Sequence, residues 1–327
     1  MSAWSWALRA IWGELAGFRF DHESRDVPSA ERPGALLYHL DSPHLFNDAM
    51  RLDGDGVPYQ VSRTFAAYNP AYVAWYGLQQ LQAAEARGDA RGRERFATQV
   101  MWLRKHAVRR LDGAAVWPYG FDWREGETLL RAGWISGMAQ GLAMSVLVRA
   151  HRLSPDPELL ALASAAARVF NLTIEQGGVQ SAGREGPLFE EYPGDPPPRV
   201  LDGALFALLG LYDVAVETGD ARLRELFERG MDGVQGELDE WNYRGKWSWY
   251  GRRVYLSPTH YHFINRALLL ALARAGGRSA FADVATAWDP RRLGAVARVA
   301  LYLAFQITKQ RSRVRDRLTA RRMIHRR

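Results

Sequence analysis

The chain has 327 residues, 47% of them hydrophobic and 12% aromatic, which is enough apolar mass for a large core and excludes a disordered chain. It contains no cysteine, so disulfides, thiolate nucleophiles and cysteine-ligated metals are excluded. The formal net charge of +7 is unevenly placed: Arg291 to Arg327 holds twelve basic residues against the single acid Asp316, and everything before it is net acidic.

At the start, Met1 to Phe20 carries Arg9 and Glu14 inside an apolar run and lacks a basic beginning, a poor match to a signal peptide. No uninterrupted apolar stretch reaches 18 residues, so no conventional transmembrane helix is expected, and the reading is a cytoplasmic protein with peripheral membrane contact. Strand signals are few and confined to about residues 35–62. Helical pairs follow. Residues 70–87 and 93–110 flank the turn Gly88-Asp89-Ala90-Arg91, and 134–152 and 158–176 flank Ser154-Pro155-Asp156-Pro157. Residues 200–218 and 223–238 flank Gly219-Asp220-Ala221-Arg222, and 260–275 and 279–288 flank Gly276-Gly277. The first three turns are 66 and 65 residues apart, the spacing of a helical-hairpin array in which each unit buries its apolar face on its neighbours. The first helix of each pair is the more apolar and belongs inside; the second is amphipathic and belongs outside. The expected fold is all-α: an incomplete (α/α) toroid or barrel of helical hairpins with a small β-containing N-terminal segment. Its expected divisions are residues 1–62, 63–290 and a basic tail at 291–327.

Three long loops, near 112–133, 177–198 and 239–258, each lead into an inner helix and so open at one end. Their rings include Trp117, Tyr119, Phe121, Trp123, Phe189, Tyr192, Trp241, Tyr243, Trp247, Trp249, Tyr250 and Tyr255. Gathered at a rim, such rings either stack on sugar faces or plug the mouth as ordinary core. In the tail, Leu293, Val296, Val299, Ala300, Leu303, Phe305 and Ile307 precede the dense charge that begins at Lys309. That order suits a solvated basic helix, or one lying on the body or on an anionic lipid surface or polymer. Base-reading motifs are missing, so no nucleic acid is expected. Glycine-rich phosphate loops, helical His-x-x-x-His pairs and Gly-x-Ser-x-Gly elbows are missing too, and no metal or cofactor is expected.

From Gly56 to Leu272 the chain resembles the C-terminal catalytic region of D-glucuronyl C5-epimerases. The carriers of the likeness are Gly56-Val57-Pro58, Asn69-Pro70, Tyr76-Gly77-Leu78, Gly133-Trp134-Ile135-Ser136-Gly137-Met138-Ala139-Gln140-Gly141 and Leu147-Val148-Arg149-Ala150. They continue through Gly177-Gly178-Val179, Glu190-Glu191-Tyr192-Pro193, Val200-Leu201-Asp202-Gly203, Leu209-Gly210-Leu211-Tyr212-Asp213, Trp247-Ser248-Trp249-Tyr250 and Tyr261-His262. The resemblance implies a cofactor-independent isomerase that converts D-glucuronate to L-iduronate residues in a heparan- or heparosan-type polysaccharide. It removes the C5 proton and returns one on the opposite face. It implies Tyr192, Tyr250 and Tyr261 as catalytic phenols, with Thr259 as the alternative alignment to Tyr261, and Glu191 beside them. Glu191 would be a protonated polariser of the substrate carboxylate or an ion-pair partner of Arg199. Gln140, Trp134, Trp117, Asp202 and His262 are expected to contact sugar, and Arg131 and Arg184 are candidates for its carboxylate.

Residue chemistry fits this implication. A proton α to a carboxylate is weakly acidic, so the site must neutralise that carboxylate and hold a proton-transfer group on each ring face. Two positions depart from the family pattern: Asp202 stands where asparagine is usual, and Asn265 where a further histidine is usual. The same C5 carbanion could expel the C4 substituent, giving a lyase. Glu191 and Asp202 could pair as the carboxylates of a hydrolase, and a binding or assembly protein could keep the aromatic cleft without turnover.

Overall fold

The computed structural model describes residues 23–42, 50–62, 65–252 and 255–324, with side chains through Arg315. The reading of Met1 to Phe20 and the side chains of the tail's last basic residues lie outside the described residues. The chain is mostly helical with small sheets. β1 (Arg25–Asp26) pairs with β2 (Leu40–Asp41), and β3 (Met50–Leu52), β4 (Pro58–Val61) and β5 (Ala66–Tyr68) form an antiparallel meander.

The helical pairs follow at the expected places. They are α1 (Pro70–Arg87) with α2 (Gly92–His106), α3 (Gly137–Leu153) with α4 (Pro157–Ala167), α5 (Leu201–Thr218) with α6 (Ala221–Gly236), and α7 (Thr259–Ala275) with α8 (Ser279–Ala287). The repeated Gly-Asp-Ala-Arg does the same physical work twice. Gly88 and Gly219 end α1 and α5 in the left-handed region, at φ 69° and 67°, where a Cβ would be strained. The next residue then accepts from the chain ahead: Asp89 from the Arg91 N–H at 3.0 Å and Asp220 from the Arg222 N–H at 2.8 Å. Pro157 after the capping Asp156 starts α4 in the same economical way.

The first helices of the pairs pack on one another in chain order, α1 on α3, α3 on α5 and α5 on α7, and each second helix covers its own partner. Side chains of α3 and α5 are buried nearly all round, whereas α2 and α6 alternate buried and exposed faces. The closest approach is between α3 and α5. A Cβ on Gly141 or Gly210 would run into the facing backbone, so two helices meet there at a separation only glycine allows.

At the C-terminal ends of these helices the N-terminal lead closes the interior. The Gln82 side chain of α1 accepts from the Tyr38 N–H at 3.0 Å, Gln79 donates to the Leu40 carbonyl at 3.3 Å, and β1 and β2 lie on α7. Beneath them Arg149 of α3 donates to Asp213 of α5 at 2.6 Å and to the Leu37 carbonyl, and His39 meets the other Asp213 oxygen at 2.8 Å. All three side chains are buried. Burial opposes ionisation of Asp213, but the Arg149 charge and the hydrogen bonds of Arg149 and His39 override it and hold the carboxyl well below its usual range.

Strands are not confined to residues 35–62 as the sequence suggests. Each long loop carries one or two antiparallel hairpins: β6 (Val108–Arg109) with β7 (Ala115–Val116), β8 (Trp123–Glu125) with β9 (Thr128–Leu130), β10 (Gln180–Ala182) with β11 (Pro187–Phe189), and β12 (Asn242–Tyr243) with β13 (Trp247–Ser248). Strands of two or three residues are too short to show an alternating pattern. Their turns instead use Gly113, Gly126 and Gly245 at positive φ. Beyond them α9 (Ala295–Ile324) lays Leu301 and Tyr302 inward, where Leu301 joins Trp247, Leu256 and Leu293 in a small separate core. Among the described residues no helix is long and apolar enough to cross a membrane.

Candidate active site

The N-terminal turns of the four inner helices and the three long loops enclose a cleft of roughly 590 Å³, open mouth included. Each inner helix contributes from its second or third residue: Tyr72 from α1, Met138 from α3, Asp202 from α5 and Tyr261 from α7. The loops add Tyr119, Phe121, Trp123, Trp134, Glu191, Tyr192 and Tyr250, and the N-terminal lead adds Gln60 and Asn69. Six sequence-predicted residues therefore share one cleft: Tyr192, Tyr250, Tyr261, Glu191, Trp134 and Asp202.

Backbone contacts hold the loops in place. The Gly137 N–H at the head of α3 donates to the Glu190 carbonyl at 2.9 Å, and a Cβ on Gly137 would stand 2.7 Å from that oxygen. Glu190 itself turns away from the cleft, accepting from the Ser181 hydroxyl at 2.6 Å and the Arg199 N–H at 3.0 Å. Thus the first glutamate of Glu-Glu-Tyr-Pro anchors the loop and the second faces the cleft. Trp134 stacks on Tyr119 with ring centres 3.8 Å apart and donates its indole N–H to the Phe121 carbonyl at 2.9 Å. Tyr192 lies between Trp123 and Trp134, at 6.4 and 5.9 Å. Opposite, Tyr250 stacks on Tyr255 at 4.9 Å and meets Tyr261 edge-on at 5.5 Å.

The electrostatics of this recess favour protonated groups. Burial, then the neighbouring Asp202 carboxylate, pushes Glu191 well above the usual carboxylate range, against a hydrogen bond from Tyr192. Burial pushes Asp202 up to about 7, although the N–H groups of residues 202 and 203 favour its ionised form. Its Oδ1 is buried with no hydrogen-bond partner, an unsatisfied polar atom at the head of α5. Tyr192, Tyr250 and Tyr261 are all pushed above 10, by burial first and then by Glu191, Tyr192 and Asp202 respectively. Burial thus disfavours the charged forms of all three phenols and of both acids, and Asp202, at about 7, is near its midpoint at neutral pH.

The other candidates do not reach the cleft. Gln140 is buried, accepting from the Trp117 N–H at 3.2 Å and donating to the Ala115 and Ala166 carbonyls. Trp117 is core, its indole N–H given to the Leu103 carbonyl at 2.9 Å. His262 stacks on Trp247 at 3.6 Å, donates to the Trp288 carbonyl and accepts from Ser248, and burial lowers it to about 3, so it is a neutral brace. Arg131 is exposed and paired with Asp122 at 2.6 Å, and Arg184 is paired with Asp239 and Glu240. Arg199 pairs with Glu237 at 2.7 Å, which removes it as the expected partner of Glu191. Asn265 donates to the Ser248 hydroxyl beneath the cleft and does not line it. Among the described lining residues none is basic. Two residues to which sequence assigned no site role, Tyr72 and Met138, could have been found from the repeat: they occupy the positions in their helices that Tyr261 and Asp202 occupy in theirs.

Residues 112–290, more than half of the chain, match the family described as the D-glucuronyl C5-epimerase C-terminus. The chain belongs to that family. The match begins after the Gly56 to Leu78 segments and extends past Leu272, so it takes in α3 to α8 and all three cleft loops. A D-glucuronyl C5-epimerase of Caenorhabditis elegans is 36% identical over 149 residues, 43% of this chain. The chain spans about a quarter of that relative's length, 24%. An uncharacterised protein of Methanocaldococcus jannaschii is 26% identical over 210 residues, covering 60% of this chain and 67% of its own length. A solved cellobiose 2-epimerase from Bacillus thermoamylovorans aligns with a TM-score of 0.46 at 9% identity, over 85% of this chain and 70% of that one.

Proposed function

We propose that this member of the epimerase family inverts C5 of glucuronate residues within a polysaccharide, giving iduronate, on an (α/α) toroid of hairpins whose open end holds the reaction. The convergence of Tyr192, Tyr250 and Tyr261 with Glu191 and Asp202 on one cleft carries this reading. The C5 proton leaves to a group on one ring face while a phenol delivers a proton to the other. The electron pair of the broken C–H bond resides meanwhile on the substrate's carboxylate as an enediolate. One tyrosine of the trio is the base, as its phenolate after its own proton has passed to solvent, and another, as the neutral phenol, is the acid. Glu191 and Asp202, in their protonated forms that burial favours, handle the substrate's charge by donating short O–H···O⁻ bonds to its carboxylate, which tighten as the second negative charge develops. Trp134 and Trp123 offer faces against which a pyranose packs.

The partner is thus an anionic uronate polymer. A second partner is an anionic lipid surface. Along α9, Val296, Val299, Leu303, Ile307 and Val314 are exposed on the face opposite Leu301, flanked by arginines, the complement of acidic headgroups. Incubation with unsulfated heparosan in deuterium oxide, followed by NMR, tests the reaction: deuterium enters C5 and iduronate signals grow. Absorbance from an unsaturated uronate would instead mark elimination, and binding without exchange would mark a non-catalytic cleft.

A further inference from the structure

Next to the cleft lies a second groove of roughly 870 Å³, lined by Glu125, Glu127, Arg199, Arg252 and Arg315 among others. Tyr250 lines both. One wall comes from α9 through Arg315, which lies outside the family-matched residues 112–290. The three arginines differ in how firmly they are held. Arg199 is nearly enclosed and bonded to Glu237 at 2.7 Å. Arg252 faces Glu240 at 3.6 Å and Arg315 faces Glu127 at 3.8 Å, and both are 49% exposed. Ion pairs that long and that wet are weak, and a ligand carboxylate can replace one partner at little cost. A guanidinium offers such a ligand two parallel N–H donors.

We propose that Arg252 and Arg315 form an anion-binding subsite for a second uronate of the same polymer, further along the chain from the sugar whose C5 reacts. The subsite makes the enzyme favour long anionic chains. It places the basic C-terminal helix in substrate recognition, with Arg315 released from Glu127 when the polymer docks. This rests on the function proposed above.

Calorimetry with unsulfated heparosan oligosaccharides of three and eight sugars tests it, with neutral chitin oligosaccharides as control. The wild-type protein binds the octasaccharide more tightly than the trisaccharide, and the gain falls as salt rises. In Arg252→Gln/Arg315→Gln that gain shrinks by about tenfold, the scale of lost charge-assisted bonds at a half-exposed site. Glu127→Gln, which removes the internal competitor for Arg315, acts in the opposite direction and tightens the octasaccharide. An unchanged length dependence in both variants, or an equal gain with chitin chains, overturns the subsite while leaving the epimerase reading intact. If neither heparosan length binds the wild-type protein or exchanges C5 hydrogen, the epimerase reading fails first.

Discussion

A Cβ placed on Gly203 would stand 2.9 Å from the Glu191 carboxylate oxygen and collide with that side chain's own Cβ. Gly203 follows Asp202 in the first turn of α5, so the glycine leaves room for the glutamate that shares the cleft with its neighbour. The two acids are packed against a backbone with no slack, and after burial it is the Asp202 charge that most raises the Glu191 carboxyl.

Gly203→Ala is expected to displace Glu191 without unfolding the helix, since alanine is the better helix former. Turnover of uronate polymer should fall by about 100-fold, the scale of a displacement near 1 Å in a reacting geometry. Steady-state kinetics beside a thermal melt checks this: unchanged turnover with an unchanged melt would mean that the Glu191 carboxyl takes no part.

Tyr192→Phe removes the hydroxyl that bonds Glu191 while keeping the ring between Trp123 and Trp134. Exchange of C5 hydrogen with solvent should drop by roughly 10²–10⁴-fold, the usual loss for a positioned acid or base. Polymer affinity should change little, because the stacking surface survives. Comparable loss of affinity would recast Tyr192 as a binding residue.

The pH dependence turns on Asp202. Its carboxyl is raised from 3.8 to about 7 on folding, so the folded chain holds a proton that the unfolded chain has released. The stability this supports is complete below 3.8 and is lost as pH rises through about 7. Ionised Asp202 also repels an anionic sugar, so polymer affinity should weaken over the same rise. Asp202→Asn, which restores the residue usual in the family pattern, should flatten both profiles between about pH 5 and pH 8. A wild-type affinity that stays level through pH 7 would contradict this account.

How much of this was legible beforehand follows from the physics of each feature. The helical hairpins showed through because their apolar faces recur with the repeat, and because Gly-Asp-Ala-Arg twice closes one helix and, at Asp220, caps the next. That Tyr192 and Tyr250 would share one end was implied by loops that all enter inner helices, while the family resemblance added Tyr261 at the head of such a helix. Gln140, Trp117 and His262 misled because a polar or aromatic group near a site reads the same whether it faces ligand or braces a loop. Only their buried partners, such as the Ala166 carbonyl for Gln140, separate the two cases. The loop hairpins were invisible because two or three residues per strand carry no period. Arg149 and Asp213 lie in family-like motifs, yet they sit at the opposite end of the helices from the cleft.

For that pair the expectation is structural. Asp213→Ala strands the buried Arg149 guanidinium and should cost about 3–5 kcal/mol in denaturant unfolding. Replacing Arg149 and Asp213 together by methionine and leucine should recover much of it, since no buried charge is then left alone. His39 would lose its carboxylate partner in both variants, so its loss cannot explain a difference between them. Equal destabilisation would mean that the network fixes the lead against α3 and α5 and does more than neutralise charge.

The outward strip of α9 leads to the last prediction. Val296 to Val314 spans about 27 Å at the helical rise of 1.5 Å per residue, long enough to lie along a lipid interface with arginines at its edges. The protein should sediment with vesicles of phosphatidylcholine and phosphatidylglycerol and remain in solution with phosphatidylcholine alone. Val299→Asp/Leu303→Asp should abolish sedimentation at low salt, because an acid on the apolar strip meets both hydrocarbon and negative headgroups. Cleft chemistry should persist in that variant, as neither residue lines the cleft or the groove beside it. If the variant instead changes from dimer to monomer in ultracentrifugation while vesicle binding is nil for both proteins, the strip meets a second copy of the chain and the lipid assignment is wrong.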